Sequence, residues 1–177
     1  TGVWHTIGGR SLLRKDEWSL ATALSEAGYI TGIFGKWHLG DNSPYRAQDR
    51  GFQHAVTHGG GGVGQTPDYW GNNYNDDWYA VDGEWRPFGG YCTDIWFEQA
   101  LAFIKRHRDR PFFCYLSTNA PHAPYIVDPA YSASYVDQVE HQQRANFYGM
   151  ISAIDENLGH LRQKLGAWGL EEDPILI

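Results

Sequence analysis

Apolar residues recur at three- and four-residue steps in three stretches of the chain, and an unbroken apolar run follows each stretch. In residues 16–27, Leu20, Ala23, Leu24 and Ala27 share one face, with Asp16 placed to cap the start and Gly28 to stop the end, so a helix is expected. Tyr29-Ile30-Thr31-Gly32-Ile33-Phe34 then reads as a short buried strand. From residue 93 to about 107, Trp96, Phe97, Ala100, Leu101 and Ile104 form a broad apolar face behind Thr93 or Asp94 as the cap. Residues 112–117 read as a second buried strand. The longest pattern, about residues 141–165, has Phe147, Ile151, Ile154, Leu158, Leu161 and Leu165 as its stripe, and Gly166 and Gly169 as its end. Pro174-Ile175-Leu176-Ile177 begins a third apolar strand.

Helix and strand in alternation predict an α/β domain with a largely parallel central sheet. Residues 41–92 break the pattern. They hold most of the glycines and many aromatics, and so long an irregular segment is uncommon unless it serves a function. Inside it, residues 78–86 read as a hairpin, because Asp82-Gly83 is a favoured pair for a tight primed turn. A chain that begins at Thr1 and stops within an apolar strand is expected to be part of a larger domain, truncated at both ends.

Composition narrows the functional classes. The formal charge is −7 and no block of Lys and Arg is present, which argues against a nucleic-acid surface. No apolar run approaches the ~20 residues that span a bilayer. Eight Trp, eleven Tyr and eight Phe, several in polar, Gly-rich company, either line a pocket or pack an irregular layer. Cys92 and Cys114 match no zinc or CxxC spacing, and a disulfide between them has no support. Cys114 lies in an apolar run and reads as a buried thiol.

Ligands of open α/β sheets bind beyond the carboxyl ends of the strands. Two loops occupy that position, one carrying Lys36 and His38, the other His122. A lysine and two imidazoles there suit a negatively charged substrate and proton transfer. The plain alternative is a solvated lysine and two hydrogen-bonded loop histidines. Other signals are weaker. Gly59, Gly61 and Gly64 satisfy G-x-G-x-x-G, but Gln65-Thr66-Pro67 follows where a dinucleotide site needs a helix. His54 and His58 have metal-ligand spacing, yet Ala55-Val56-Thr57 leading into four glycines suggests strand or loop. Asp76-Asp77 reads as a solvated turn before it reads as a metal pair. Asp68, Tyr69, Trp70 and Asn72 either shape a substrate pocket suited to sugar rings or pack the long loop.

Gly28-Tyr29-Ile30-Thr31-Gly32-Ile33-Phe34-Gly35-Lys36-Trp37-His38-Leu39-Gly40 resembles the second signature of the sulfatase family, GY-x-T-x-x-x-GKWHLG. Ala120-Pro121-His122-Ala123-Pro124 resembles the family's PH-x-P loop. Residues 151–170, with Asp155-Glu156-Asn157-Leu158-Gly159, resemble the helix leading to its next strand, and residues 60–77 resemble an insertion of many bacterial sulfatases. The resemblance implies part of an alkaline-phosphatase-like three-layer α/β sandwich, with residues 41–92 as a substrate-side insertion. It implies a sulfuric ester hydrolase acting on a sulfated carbohydrate or aryl ester. Lys36 would contact sulfate and the nucleophile's oxygens. His38 would hold the nucleophile's hydroxyl, and His122 would contact sulfate or protonate the leaving alcohol. The family's calcium carboxylates and its formylglycine, made from a C/S-x-P-x-R motif, are absent from residues 1–177, so both are expected elsewhere in the full-length enzyme and no metal ligand is assigned here. Alone, this piece is expected to be inactive. The resemblance also implies a periplasmic or extracellular setting. Competing expectations are a phosphonate or phosphate monoester hydrolase of the same superfamily, or a non-catalytic anion- or glycan-binding relative.

Overall fold

The structure is a computed structural model that describes residues 12–64 and 71–170. The chain divides into two compact units between Asn119 and Ala120. Among the described residues, the first unit holds a five-stranded sheet of order β4-β3-β2-β1-β5. Its strands are β1 (Ile30–Lys36), β2 (His54–His58), β3 (Trp78–Val81), β4 (Glu84–Pro87) and β5 (Phe112–Ser117). β1 pairs in parallel with both β2 and β5, while β3 pairs antiparallel with β2 and β4. The sheet is therefore mixed: the two apolar runs and β2 form its parallel part, and the hairpin its antiparallel edge.

β1 is buried from Thr31 to Gly35, as a central strand covered on both faces must be. On one face lies α2 (Cys92–His107), where the Phe103 ring packs 5.4 Å from Phe34. Gly32 leaves room for that ring, since a Cβ there would stand 2.9 Å from it. On the other face Ile33 joins Ala21 of α1 (Leu20–Glu26), Ala47, Phe52 and Ala55 in one cluster, flanked by Trp37 and Phe113. Neighbouring residues of a strand point to opposite faces, so α1 and α2 sandwich the sheet.

Three expectations are corrected in this unit. α1 begins at Leu20 rather than near Asp16: Ser19 caps it by accepting from the Thr22 amide at 3.0 Å, while Asp16 pairs with Arg14 at 2.6 Å. Its expected stripe also fails, since Ala21 is its buried residue and Leu20 is 64% exposed. Residues 41–92 are not irregular throughout, because they contain β2 and a 3-10 turn at Ala47–Arg50. β2 is short, polar at both ends, and paired with distant β1, so its local pattern carried little signal. Two devices fix its start. Thr31 Oγ1 donates to the Gly51 carbonyl at 2.6 Å and accepts from the Gln53 amide at 3.0 Å. The buried guanidinium of Arg50 donates to the carbonyls of Arg14 (2.8 Å) and Glu17 (2.7 Å). The expected hairpin forms, with Asp82 and Gly83 at φ 52° and 96° as a primed turn requires.

The second unit contains α3 (Pro129–Ser132), a 3-10 segment at Ala133–Gln138 and α4 (Gln142–Ala167). α4 buries Ala145, Gly149, Met150, Ala153, Leu161 and Leu165. Leu161 and Leu165 belong to the expected stripe, but Ile151 is 41% exposed. The helix turns its small residues inward because Gly149 lies against Ser132, where a Cβ would stand 3.0 Å from the amide nitrogen. Gly166 falls inside the helix, and Gly169, at φ 71°, follows its end. The strand expected at residues 174–177 lies outside the described residues.

Candidate active site

Lys36 is the last residue of β1, at the carboxyl edge of the sheet between β2 and β5. The backbone reaches this point by a close approach. Gly35 has φ 119°, and a Cβ on it would run into the Ser117 carbonyl of β5, so only glycine fits. Ser117 Oγ donates to the Lys36 carbonyl at 2.7 Å and ties the two strand ends together. Lys36 is partly buried, and that desolvation lowers the pKa of its ammonium. No carboxylate forms an ion pair with Lys36 among the described residues. A cation held short of water without a balancing charge is a strong anion ligand, because a bound anion removes both deficits together.

His38 follows two residues later with φ 59°, a left-handed conformation rare for a residue with a Cβ. Its ring rests against bare backbone: a Cβ on Gly61 would stand 2.7 Å from His38 Nε2. Trp37, between them, turns inward and donates its indole N–H to the Tyr45 carbonyl at 2.8 Å. Local backbone geometry thus sends Lys36, Trp37 and His38 in different directions over three residues.

The Gly-rich loop supplying Gly61 begins where β2 ends. The Gly60 amide donates to Asp41 Oδ2 at 3.2 Å, and Asn72 Nδ2 donates to the Gly62 carbonyl at 2.8 Å. Asn72 therefore braces this loop; Asp68, Tyr69 and Trp70 lie outside the described residues. Asp77, expected in a solvated turn, is 3% exposed and accepts from the amides of Asn73 (2.6 Å) and Trp78 (2.8 Å). That correction has a simple cause, since the turn's own backbone donors need a buried acceptor. A cavity lies between residues 37–48 and β2–β4, with Trp37, Asp41, Asn42, Arg46, Gln48 and Trp85 in its lining.

His122 belongs to the second unit, where it is exposed and its Nδ1 lies 2.9 Å from the Ala123 carbonyl oxygen. His54 and His58, at opposite ends of β2, are strand residues on one face and not a helical pair. Cys92 and Cys114 are free thiols, and burial pushes Cys92 up to about 12, away from nucleophilic use. Sequence reasoning did not connect two buried side chains near the strand ends with this site. One is His58, 3% exposed beside Lys36 in the ladder; the other is Asn119, whose Oδ1 accepts from Trp96 Nε1 at 3.1 Å. His58 entered the sequence reading only as half of a declined metal pair with His54, with nothing to link it to Lys36, and Asn119 had no distinguishing signal.

The model of the family described as Sulfatase matches residues 1–177. The chain belongs to the sulfatase family. Human N-acetylgalactosamine-6-sulfatase is 29% identical to it over 90% of this chain and 30% of its own length. The arylsulfatase of Klebsiella aerogenes is 32% identical over 70% of this chain and 29% of its own. Among solved structures, the crystal structure of Ps i-CgsB in complex with k-i-k-neocarrahexaose superposes with a TM-score of 0.77 at 25% identity, covering 96% of this chain and 40% of that one. The chain thus spans about a third of the length of the curated sulfatases it matches. No described helix is long and apolar enough to cross a membrane.

Proposed function

We propose that this chain is a central part of a sulfatase catalytic domain, contributing the sulfate-binding cation and two proton-handling imidazoles to hydrolysis of a sulfated carbohydrate or aryl ester. The observation that carries the proposal is Lys36: a partly buried ammonium with no carboxylate ion pair among the described residues, at the carboxyl edge of a parallel pair of strands. In this reading Lys36 neutralises charge on the sulfate oxygens. His38, held by its left-handed backbone and the bare face of Gly61, orients the nucleophile, and His122 delivers a proton to the oxygen of the departing alcohol. Sulfuryl transfer places most new charge on that leaving oxygen, so a fixed cation and a placed acid address its two main costs.

Among the described residues, no group of three or more His, Cys, Asp or Glu is arranged to hold a metal. The same proposal assigns the ligands of a calcium ion, and a formylglycine nucleophile, to the intact enzyme outside this chain; the formylglycine motif does not occur in residues 1–177. A sulfated glycan as substrate and a periplasmic or extracellular setting are parts of the same proposal. The polar and aromatic lining beside Trp37 and Trp85 supports a sugar-bearing substrate.

The test is hydrolysis of an aryl sulfate by the intact protein. Lys36→Ala is expected to reduce turnover by ~10²–10³-fold, the usual loss for one preorganised charge-stabilising group. The isolated 177-residue chain is expected to release no sulfate above its own Lys36→Ala control. Faster turnover of the matching aryl phosphate would assign the site to phosphate ester hydrolysis.

A further inference from the structure

The carboxyl end of β2 holds a buried group that this mechanism leaves unused. His58 is the register partner of Lys36 in the parallel β1–β2 ladder and is 3% exposed. Phe34 of β1 packs on Phe103 of α2, and the His58 ring lies 6.1 Å from Trp96 of the same helix. Counting by twos from Phe34 puts Lys36 on that face as well, so both side chains leave the strand ends on the α2 side of the sheet. His58 Nδ1 stands 2.8 Å from the Gly59 carbonyl oxygen. A carbonyl only accepts, so Nδ1 carries the proton, and Nε2 of the neutral ring keeps a bare lone pair. That Nε2 is buried and has no hydrogen-bond partner among the described residues.

Charge settles which form the ring takes. Burial pushes the His58 pKa down to about 4; the Lys36 charge acts in the same direction, while the Gly59 carbonyl, Asp41 and Asp77 oppose it. His58 is therefore a neutral acceptor at ordinary pH, with Lys36 as the neighbouring cation.

We propose that His58 is a positioning residue for Lys36, its Nε2 accepting a hydrogen bond from the Lys36 ammonium when an anion occupies the edge of the sheet. The role rests on Lys36 being the sulfate ligand. A neutral acceptor is the chemistry this task calls for. A carboxylate at residue 58 would also aim the ammonium, but it would cancel the charge the sulfate needs. An imidazole engages one of the three N–H donors, fixes the side chain's direction, and leaves the full positive charge and two donors for the anion.

The experiment is ring-nitrogen NMR of the histidines in the intact protein, with inorganic sulfate as the probe. The expected result is an Nδ1–H tautomer at His58, an Nε2 resonance that shifts when sulfate is added, and loss of that shift in Lys36→Met. In Lys36→Met the His58 titration midpoint is also expected to rise, because the neighbouring positive charge is gone. In a parallel binding titration, His58→Gln, whose side-chain oxygen can stand in for Nε2, is expected to hold sulfate within about threefold of wild type. His58→Leu should weaken it about tenfold, and the two variants should converge in a Lys36→Met background, as a coupled pair requires. An Nε2–H tautomer, a midpoint unmoved by Lys36→Met, or equal sulfate affinity in the Gln and Leu variants would overturn the proposal. If His58→Leu does not fold, the NMR comparison with Lys36→Met decides it alone. Absence of sulfate binding by wild type would defeat the sulfate reading of Lys36, while the midpoint comparison would still judge the pairing.

Discussion

Acid should weaken this fold in a specific way, through His58. Its folded pKa of about 4 lies below the ordinary value of 6.5, chiefly because the ring is buried. In the unfolded chain the imidazole takes up a proton as the pH falls through its ordinary value; in the folded chain it does so only near the lower one. Between the two values the unfolded state binds more protons, so stability is intact above the ordinary pKa and is lost as the pH drops through that window. Comparing proton uptake by the two states, a fall from about pH 7 to about pH 5 removes about 2 kcal/mol, and the loss approaches roughly 3 kcal/mol near pH 4. Urea unfolding of the intact protein across this range, followed by Trp fluorescence, measures the loss. His107, also lowered by burial, and the carboxylates contribute to wild type and to His58→Gln alike, so the difference between the two isolates residue 58. Parallel pH dependences in wild type and His58→Gln would refute the reasoning.

Two further outcomes follow from the same geometry. Gly61→Ala places a methyl group where the His38 ring rests, and the ring rather than the backbone should yield, so we expect a stability change under about 1 kcal/mol but at least a tenfold loss of aryl sulfate turnover. Thermal unfolding and initial rates on one preparation check both halves. Asn119→Ala leaves the buried Trp96 indole N–H without its acceptor and should cost ~1–3 kcal/mol in denaturant unfolding.

Much of the fold was legible because long apolar periods leave few alternatives. α2 and β5 appear within a residue or so of their expected ranges, and the Asp82-Gly83 turn forms where its backbone preference requires. The failures have specific causes. α1 was overextended because Asp16 mimics a cap, whereas Ser19 has the tertiary partner: its hydroxyl also donates to the Arg50 carbonyl at 2.7 Å. The inward face of α4 was misread because Gly149 and Ala153 are silent in any hydrophobic pattern, yet close packing favours them. β2 escaped because its pairing lies some twenty residues back in β1. Lys36 and His38 stood out by their motif, and the structure adds what a motif does not contain: the left-handed turn at His38 and the glycine backbone under its ring. Counting along the chain paired His58 with His54, whereas its interest comes from Lys36 on the strand beside it.

The contact between Gly35 and the Ser117 carbonyl bears on how this site could ever change its preference. Two backbones meet there without a side chain between them, and a hydroxyl fastens the next peptide, so the platform beneath the ammonium has no adjustable part. Anyone redesigning the protein for a differently shaped anion would have to leave that floor alone. The freedom lies in what stands around it, on the glycine loop and on the strand that ends in His58.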